Sequence, residues 1–219
     1  MLDRNLWLES YADKIKLLVD YVQDLRSRPI QIDLTWEVTP STRFETPRES
    51  LAISGSLPME SFYFVDYVCS RSRVVYDIGC GSNIFKVCNK NIVGVDPNHS
   101  NADITDKFND EYAANHANDF PGAVAINSLH YVPFEKLGKV LEQFVGMIVP
   151  GGFGYIAFNF QRIADFSDIS REDNPAYSIK VDQLIENMAV DVLHYENKIV
   201  QQPDEHIDGN IKLLFRKRG

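Results

Sequence analysis

Two aspartates and two glycines carry the clearest chemistry in this chain. Asp77 lies in Val74-Val75-Tyr76-Asp77-Ile78, Gly79 and Gly81 follow in Gly79-Cys80-Gly81-Ser82-Asn83, and Asp96 closes Ile92-Val93-Gly94-Val95-Asp96, nineteen positions after Asp77. Glycines just beyond a strand let the backbone approach a ligand with no Cβ in the way, and they permit torsions that other residues resist. A carboxylate at the end of the next strand can accept hydrogen bonds from both hydroxyls of a ribose, and its charge strengthens them. Together these residues predict a site for a nucleoside-bearing cofactor. The bland alternative is a tight turn followed by a helix cap.

The third glycine of the dinucleotide fingerprint G-x-G-x-x-G would fall at position 84, which is Ile84. A bulky β-branched side chain there argues against close packing on a pyrophosphate, so the expected cofactor carries adenosine without a diphosphate. Cys80, inside the loop, reads as a small apolar filler rather than a nucleophile.

Further along, His130 and Tyr131 follow the segment Ala125-Ile126-Asn127-Ser128-Leu129. Histidine titrates near neutral pH, which makes His130 the better general base of the two. Its structural alternative is to cap the next helix or pack in the floor of the site. Arg162 can pair with a substrate carboxylate or stand solvated at the surface. His99, His116, His194 and His206 show no metal-ligand spacing, and no metal is implied.

The elements that must position these groups can be read from periodicity. Apolar residues from Leu6 to Leu25 recur every three or four positions and predict an amphipathic helix; Ile30 to Val38 alternate with polar residues as in a half-buried strand. Thr39 to Pro58 reads as a loop-rich connection. A helix is expected over 59–70 and the first core strand over 73–78. Then follow strands at 92–96, 102–105, 123–128 and 153–159, with helices near 110–118 and 135–148, the latter stopped by Pro150-Gly151-Gly152. A polar stretch from Gln161 to Tyr177 leads to a helix near 179–189 and two strands, 190–200 and 210–216, that read as a closing hairpin. Strands alternating with helices imply crossovers and parallel order, hence a doubly wound α/β sheet with one antiparallel strand.

At 219 residues the chain suits one α/β domain with additions; residues 1–60 are expected to form an N-terminal extension and 61–219 the cofactor-binding domain. A net charge of −9 disfavours long nucleic acid as a partner, since phosphate binding is driven by Lys and Arg. Three cysteines without ligand spacing fit reduced thiols, and no run approaches the roughly 20 apolar residues that span a bilayer, so a cytoplasmic location is expected. One sequence leaves the oligomeric state open.

The segments Asp77-Ile78-Gly79-Cys80-Gly81-Ser82-Asn83, Val93-Gly94-Val95-Asp96-Pro97, Ala125-Ile126-Asn127-Ser128-Leu129-His130-Tyr131-Val132-Pro133 and Val149-Pro150-Gly151-Gly152-Phe153-Gly154-Tyr155-Ile156-Ala157-Phe158-Asn159 resemble the successive motifs of class I S-adenosylmethionine-dependent methyltransferases. The resemblance covers about Val74 to Phe160. It implies a seven-stranded, mostly parallel sheet, S-adenosylmethionine at the C-terminal strand ends, and direct transfer of a methyl group; the expected acceptor is a small molecule or one of modest size. By position, Asp77 and Gly79, Cys80 and Gly81, with Asn83, would flank the methionine part and Asp96 would take the ribose. Asp103 and Ile104 would meet the adenine, with Asp106 the alternative, and Ile126 and Asn127 would line the floor near the methyl donor.

The chain departs from that pattern in three places. Asn83 replaces the glycine that commonly ends the first motif, a position where Asn tolerates left-handed torsions. Only eight residues, Ile84 to Asn91, precede the second strand, so the first crossover helix must be short. Only six, Pro97 to Ala102, separate Asp96 from Asp103, where a crossover normally needs a dozen or more, so 102–105 can be an irregular edge. Two other functions stay open: a noncatalytic S-adenosylmethionine-binding or scaffold protein, and a nicotinamide-dependent oxidoreductase, which Ile84 disfavours. Residues 1–60 and 161–177 are the candidates for a substrate cover.

Overall fold

The computed structural model describes residues 17, 20, 21, 24, 59–130, 132, 134–159, 174–201 and 207–219. The expected strand at 30–38, the connection at 39–58, Tyr131, Arg162 and most of the 161–177 stretch lie outside them. Residues 17, 20, 21 and 24, within the expected first helix, are helical.

Short runs of β-branched residues build the centre of the sheet. β1 (Val75–Ile78) pairs in parallel with β2 (Ile92–Val95), Asp77 opposite Gly94, and with β3 (Phe120–Ile126), Asp77 opposite Val124. β3 pairs in parallel with β4 (Ile148–Asn159). β5 (Val190–Gln201) and β6 (Ile207–Lys217) form the closing hairpin, with β6 antiparallel to β4, so the order is β2-β1-β3-β4-β6-β5. This is the expected doubly wound α/β sheet, mostly parallel with an antiparallel edge.

Six strands are present among the described residues rather than seven. The missing edge survives as one parallel bridge, Ile104 to Val95, with Ile104 N donating to Gly94 O at 3.0 Å and Asp96 N to Ile104 O at 3.1 Å. The six-residue connection from Asp96 leaves no room for a crossover helix, so the chain turns back and touches β2 at a single register position. The first crossover is equally abbreviated: only a 3-10 turn, Ile84–Val87, stands between β1 and β2.

Alternation along the strands divides the core into two layers. Val75, Val124, Tyr155, Ala157 and Leu214 face α1 (Met59–Arg71), whose Phe62, Phe64, Val65 and Val68 cover them with Phe85 of the 3-10 turn. On the other face Ile78, Ala123, Ala125, Ile156, Phe158, Leu213 and Phe215 meet α2 (Asp110–Asn115), α3 (Phe134–Met147) and α4 (Asn174–Glu186). Leu137, Leu141 and Phe144, three or four apart, form the buried stripe of α3. The N-terminus of α2 is capped by Asn109, whose side-chain oxygen accepts from Tyr112 N at 2.8 Å.

Pro150-Gly151-Gly152 does not end α3. The helix stops at Met147, where its last carbonyls are taken from outside: Gly146 O by Asn118 N at 3.0 Å and by the Lys217 ammonium, and Met147 O by Asp119 N at 2.9 Å; the same ammonium bonds Ile148 O at the start of β4. The Pro-Gly-Gly triplet instead lies within β4 as a bulge, where pairing passes from Phe120–Ile148 to Gly122–Phe153 and Gly151 takes φ +79°. No helix among the described residues is long and apolar enough to cross a membrane.

Candidate functional site

The glycine loop is shaped by what it must pass. Leaving β1, Gly79 N and Cys80 N both donate to Val95 O, at 2.8 and 3.2 Å, which bends the loop over the end of β2. Gly79, Gly81 and Asn83 take φ of +73°, +52° and +55°. A Cβ on Gly79 would stand 2.4 Å from Ser128 Cβ, so glycine is required where the loop crosses the end of β3; Ser128 Oγ fixes the crossing by donating to Ile78 O at 2.6 Å. Among the described residues, a Cβ on Gly81 would meet nothing within 4 Å. None of the described residues closes on the backbone there, as a ligand cradle needs. Asn83 adopts the left-handed geometry its residue type allows.

Periodicity and motif reading gave no role to Gly94. A Cβ there would lie 2.5 Å from Asn83 Nδ2 and 2.7 Å from Cys80 Sγ, so this glycine is what lets the loop sit down on β2. Its signal was present, since a glycine inside a β-branched strand often marks a close backbone approach.

Both aspartates of the pair are buried, each 2% exposed. Their surroundings differ. Asp96 accepts from Gly81 N at 3.1 Å and Asn98 N at 2.9 Å, one bond to each carboxylate oxygen. Asp77 Oδ2 has no hydrogen-bond partner among the described residues. Burial, and then the charge of Asp96, push the Asp77 carboxyl up to about 7. Two more buried acceptors without described partners, Asn83 Oδ1 and Asn98 Oδ1, belong to the two loops that flank Asp96. Burial, then Asp77, Asp96 and Asp103, raise the Cys80 thiol and hold it protonated, which suits a packed side chain.

Asp103 also has partners within the protein. Its carboxylate accepts from Gly94 N at 2.8 Å, from Asn83 Nδ2 at 3.2 Å and from the Lys86 ammonium. Burial works to raise its pKa, and these three donors outweigh it, leaving the carboxyl below the usual range. Asp103 therefore pins the 3-10 turn and the glycine loop to β2. Ile104 is exposed, and Asp106, also exposed, bonds the adjacent Lys107 amide.

At the end of β3, Asn127 has φ +52° and donates to Ala157 O at 2.7 Å, keeping the strand end against β4. Ile126, the last residue of β3, packs against the α1-side core. His130 is fully buried, its ring parallel to that of Phe158 at 5.9 Å between centroids. Phe158 belongs to the core under α3, so His130 is held in an aromatic stack. A cavity of about 370 Å³ lined by Ile185, Met188, Val190 and Tyr195 opens at the start of β5. Strand register puts it at the opposite end of the sheet, away from the glycine loop. No group of three or more His, Cys, Asp or Glu among the described residues is placed to hold a metal.

These residues fit the cofactor that the motifs imply. Among the described residues Asp77 Oδ2 has no partner, which suits a cationic amine or sulfonium, nothing closes on the Gly81 backbone, and Asp96 retains lone pairs beyond its two amide bonds. Neither a protein-family model nor a curated protein matches the sequence. Solved structures do match the fold. An O-methyltransferase family protein from Burkholderia thailandensis superposes with TM-score 0.50 at 13% identity, over 78% of this chain and 58% of that one. The [4+2]-cyclase SpnF gives 0.50 at 13% identity over 94% of both chains. A SAM-dependent methyltransferase from Archaeoglobus fulgidus gives 0.49 at 14% identity, over 77% of this chain and 97% of that one. The chain has the class I S-adenosylmethionine-dependent methyltransferase fold.

Proposed function

We propose that the protein is an S-adenosylmethionine-dependent methyltransferase acting on a small-molecule or modest-sized acceptor. The observation that carries this reading is Asp77 Oδ2, buried and without a described partner beside a glycine loop on whose Gly81 no described residue closes. A buried carboxylate of this kind is costly until a positive group or a proton meets it. S-adenosylmethionine would supply both an ammonium and a methyl group already activated on a sulfonium.

In this reading Asp77 answers the positive charge, the Gly79 to Asn83 backbone lines the methionine part, and Asp96 holds the ribose. Ile126 and Asn127 form the floor towards the acceptor. Transfer of an activated methyl is an in-line displacement, so the chain's work is to align donor and nucleophile and to exclude water. A base is required only for an acceptor that must lose a proton. The stack on Phe158 favours a packing role for His130, and an acceptor with a free lone pair needs none. The three cysteines are free thiols, which suits a reducing, cytoplasmic setting, and the charge of −9 argues against long nucleic acid as acceptor.

Isothermal titration with S-adenosylmethionine and S-adenosylhomocysteine tests the reading, and absence of heat with both would sink it. A second reading, a cofactor-binding protein that does not transfer methyl groups, is favoured by the burial of His130 and by the single-bridge edge at Ile104. A fold hosts many chemistries, and one fold neighbour is a [4+2]-cyclase. Transfer of labelled methyl groups across a metabolite panel separates the two.

A further inference from the structure

Tyr21 reaches the site from far away in sequence. Its hydroxyl donates to Ser82 O in the glycine loop at 2.5 Å and accepts from Asn101 Nδ2 at 3.4 Å. Asn83 Nδ2, from the residue after Ser82, in turn donates to Asn101 O at 3.0 Å. These bonds close a ring: Tyr21 to the glycine loop, the glycine loop to the loop after β2, and that loop back to Tyr21.

The two loops so joined are the ones that flank Asp96. Gly81 N and Asn98 N, its two donors, belong one to each. Neither loop leads into an α-helix of its own: the glycine loop runs into a 3-10 turn and residues 97–102 carry no regular element. Loops tied only by a few bonds open at low cost. A hydroxyl bridging both from outside raises that cost.

We propose that Tyr21 is a positioning residue for the nucleoside side of the cofactor site, holding the glycine loop and the 97–102 loop at the separation that Asp96 needs. This rests on the S-adenosylmethionine reading above. It also gives part of the N-terminal segment a place at the cofactor, where the sequence suggested only a substrate cover. The hydroxyl touches loop backbone and Asn101 rather than the reacting atoms, so its effect is on binding. Methyl transfer itself is left to other residues.

The experiment compares Tyr21→Phe with the wild-type chain, using S-adenosylhomocysteine as the probe. Loss of the bond to Ser82 O and of the longer one from Asn101 predicts a Kd raised at least about 3- to 10-fold, carried by faster dissociation. In the ligand-free proteins, amide exchange across 79–83 and 97–102 accelerates in the variant. Asn101→Ala moves affinity the same way by less, and the double variant is no weaker than the sum predicts, because both changes break one ring. A purely structural role would lower the unfolding midpoint and leave the dissociation rate where it was. Wild-type affinity and dissociation rate in Tyr21→Phe overturn the inference. A wild-type chain that binds neither S-adenosylmethionine nor S-adenosylhomocysteine overturns the proposed function instead, and unchanged amide exchange then removes the loop-holding role as well.

Discussion

The Gly81 amide donates to the Asp96 carboxylate at 3.1 Å, so the residue expected to bind the ribose is also what holds the glycine loop down. The second donor, Asn98 N at 2.9 Å, makes Asp96 the common acceptor of both loops around it. Asp96→Ala is therefore expected to do two things. Cofactor affinity falls by about 1.5–3 kcal/mol, the range for hydrogen bonds to a charged group, and the unfolding midpoint falls because two loop amides lose their acceptor. Calorimetry on a folded variant checks the first effect and thermal unfolding the second. Unchanged affinity removes the ribose assignment while leaving the structural role intact.

Asp77 makes the ligand-free protein sensitive to pH. Burial and the neighbouring Asp96 charge push its pKa up to about 7 in the folded chain, above the ordinary 3.8, so between those values the folded chain holds a proton that the unfolded chain has lost. The contribution is neutral below about pH 4, grows more unfavourable as pH rises, and levels off near pH 7. Asp77→Asn is expected to be more stable than wild type at pH 8, by an amount on the order of a few kcal/mol, and to match it near pH 4. Urea unfolding at the two pH values measures the difference. Binding of a cationic ligand has the opposite dependence: S-adenosylmethionine must displace the proton, so affinity rises from pH 6 to pH 8 in wild type and stays flat in Asp77→Asn. A flat wild-type profile would mean that the cation does not meet this carboxylate.

The two loop glycines answer to different constraints, and substitution separates them. Gly79→Ala places a Cβ 2.4 Å from that of Ser128 at φ +73°, adding a clash to a strained torsion. Gly81→Ala has only the torsion to contend with, a cost of about 1 kcal/mol for a non-glycine residue in the left-handed region. Gly79→Ala should destabilise by at least about 2 kcal/mol more, with Ser128→Gly restoring part of that loss. Gly81→Ala should remain folded and lose cofactor affinity, because the added methyl enters the space assigned to the ligand. Equal stability of the two variants would contradict the crossing of Gly79 over Ser128.

How far the sequence carried depends on the range of the constraint. The Asp77, glycine and Asp96 pattern is legible because strand, loop and strand lie within twenty residues, and their types state a chemistry. The weak third edge at Ile104 was legible as well, because counting six residues after Asp96 already ruled out a helix. Gly94 was harder, since its necessity comes from Asn83 and Cys80 packing on it from the preceding loop. Asp103 read as a nucleobase contact by position alone, and only the fold brings Lys86 and Asn83 to it. Pro150-Gly151-Gly152 looked like a helix stop, yet the amides that end α3 come from Asn118 and Asp119, nearly thirty residues earlier, and the triplet is spent on a bulge. Tyr21 had no local signal at all, lying off the periodic apolar positions of its helix, and only the fold places Ser82 beside it.

His130 is where packing and chemistry make opposite demands on one ring. Fully buried and parallel to Phe158, it fills core volume beneath the end of β3, so His130→Ala is expected to destabilise the chain by about 2–4 kcal/mol, the range for emptying a large buried side chain. That loss alone would lower turnover in any assay and prove nothing about a base. His130→Phe keeps an aromatic ring on Phe158 and removes the titrating nitrogens. If the ring serves packing, His130→Phe retains the stability and, with a methyl acceptor in hand, the rate and the pH profile of the wild type. If it serves as base, the same variant stays folded and binds cofactor normally while turnover collapses and the acidic limb of the profile disappears. The stack on Phe158 favours the first result, because a ring sealed at zero exposure must leave its partner before it can reach an acceptor proton.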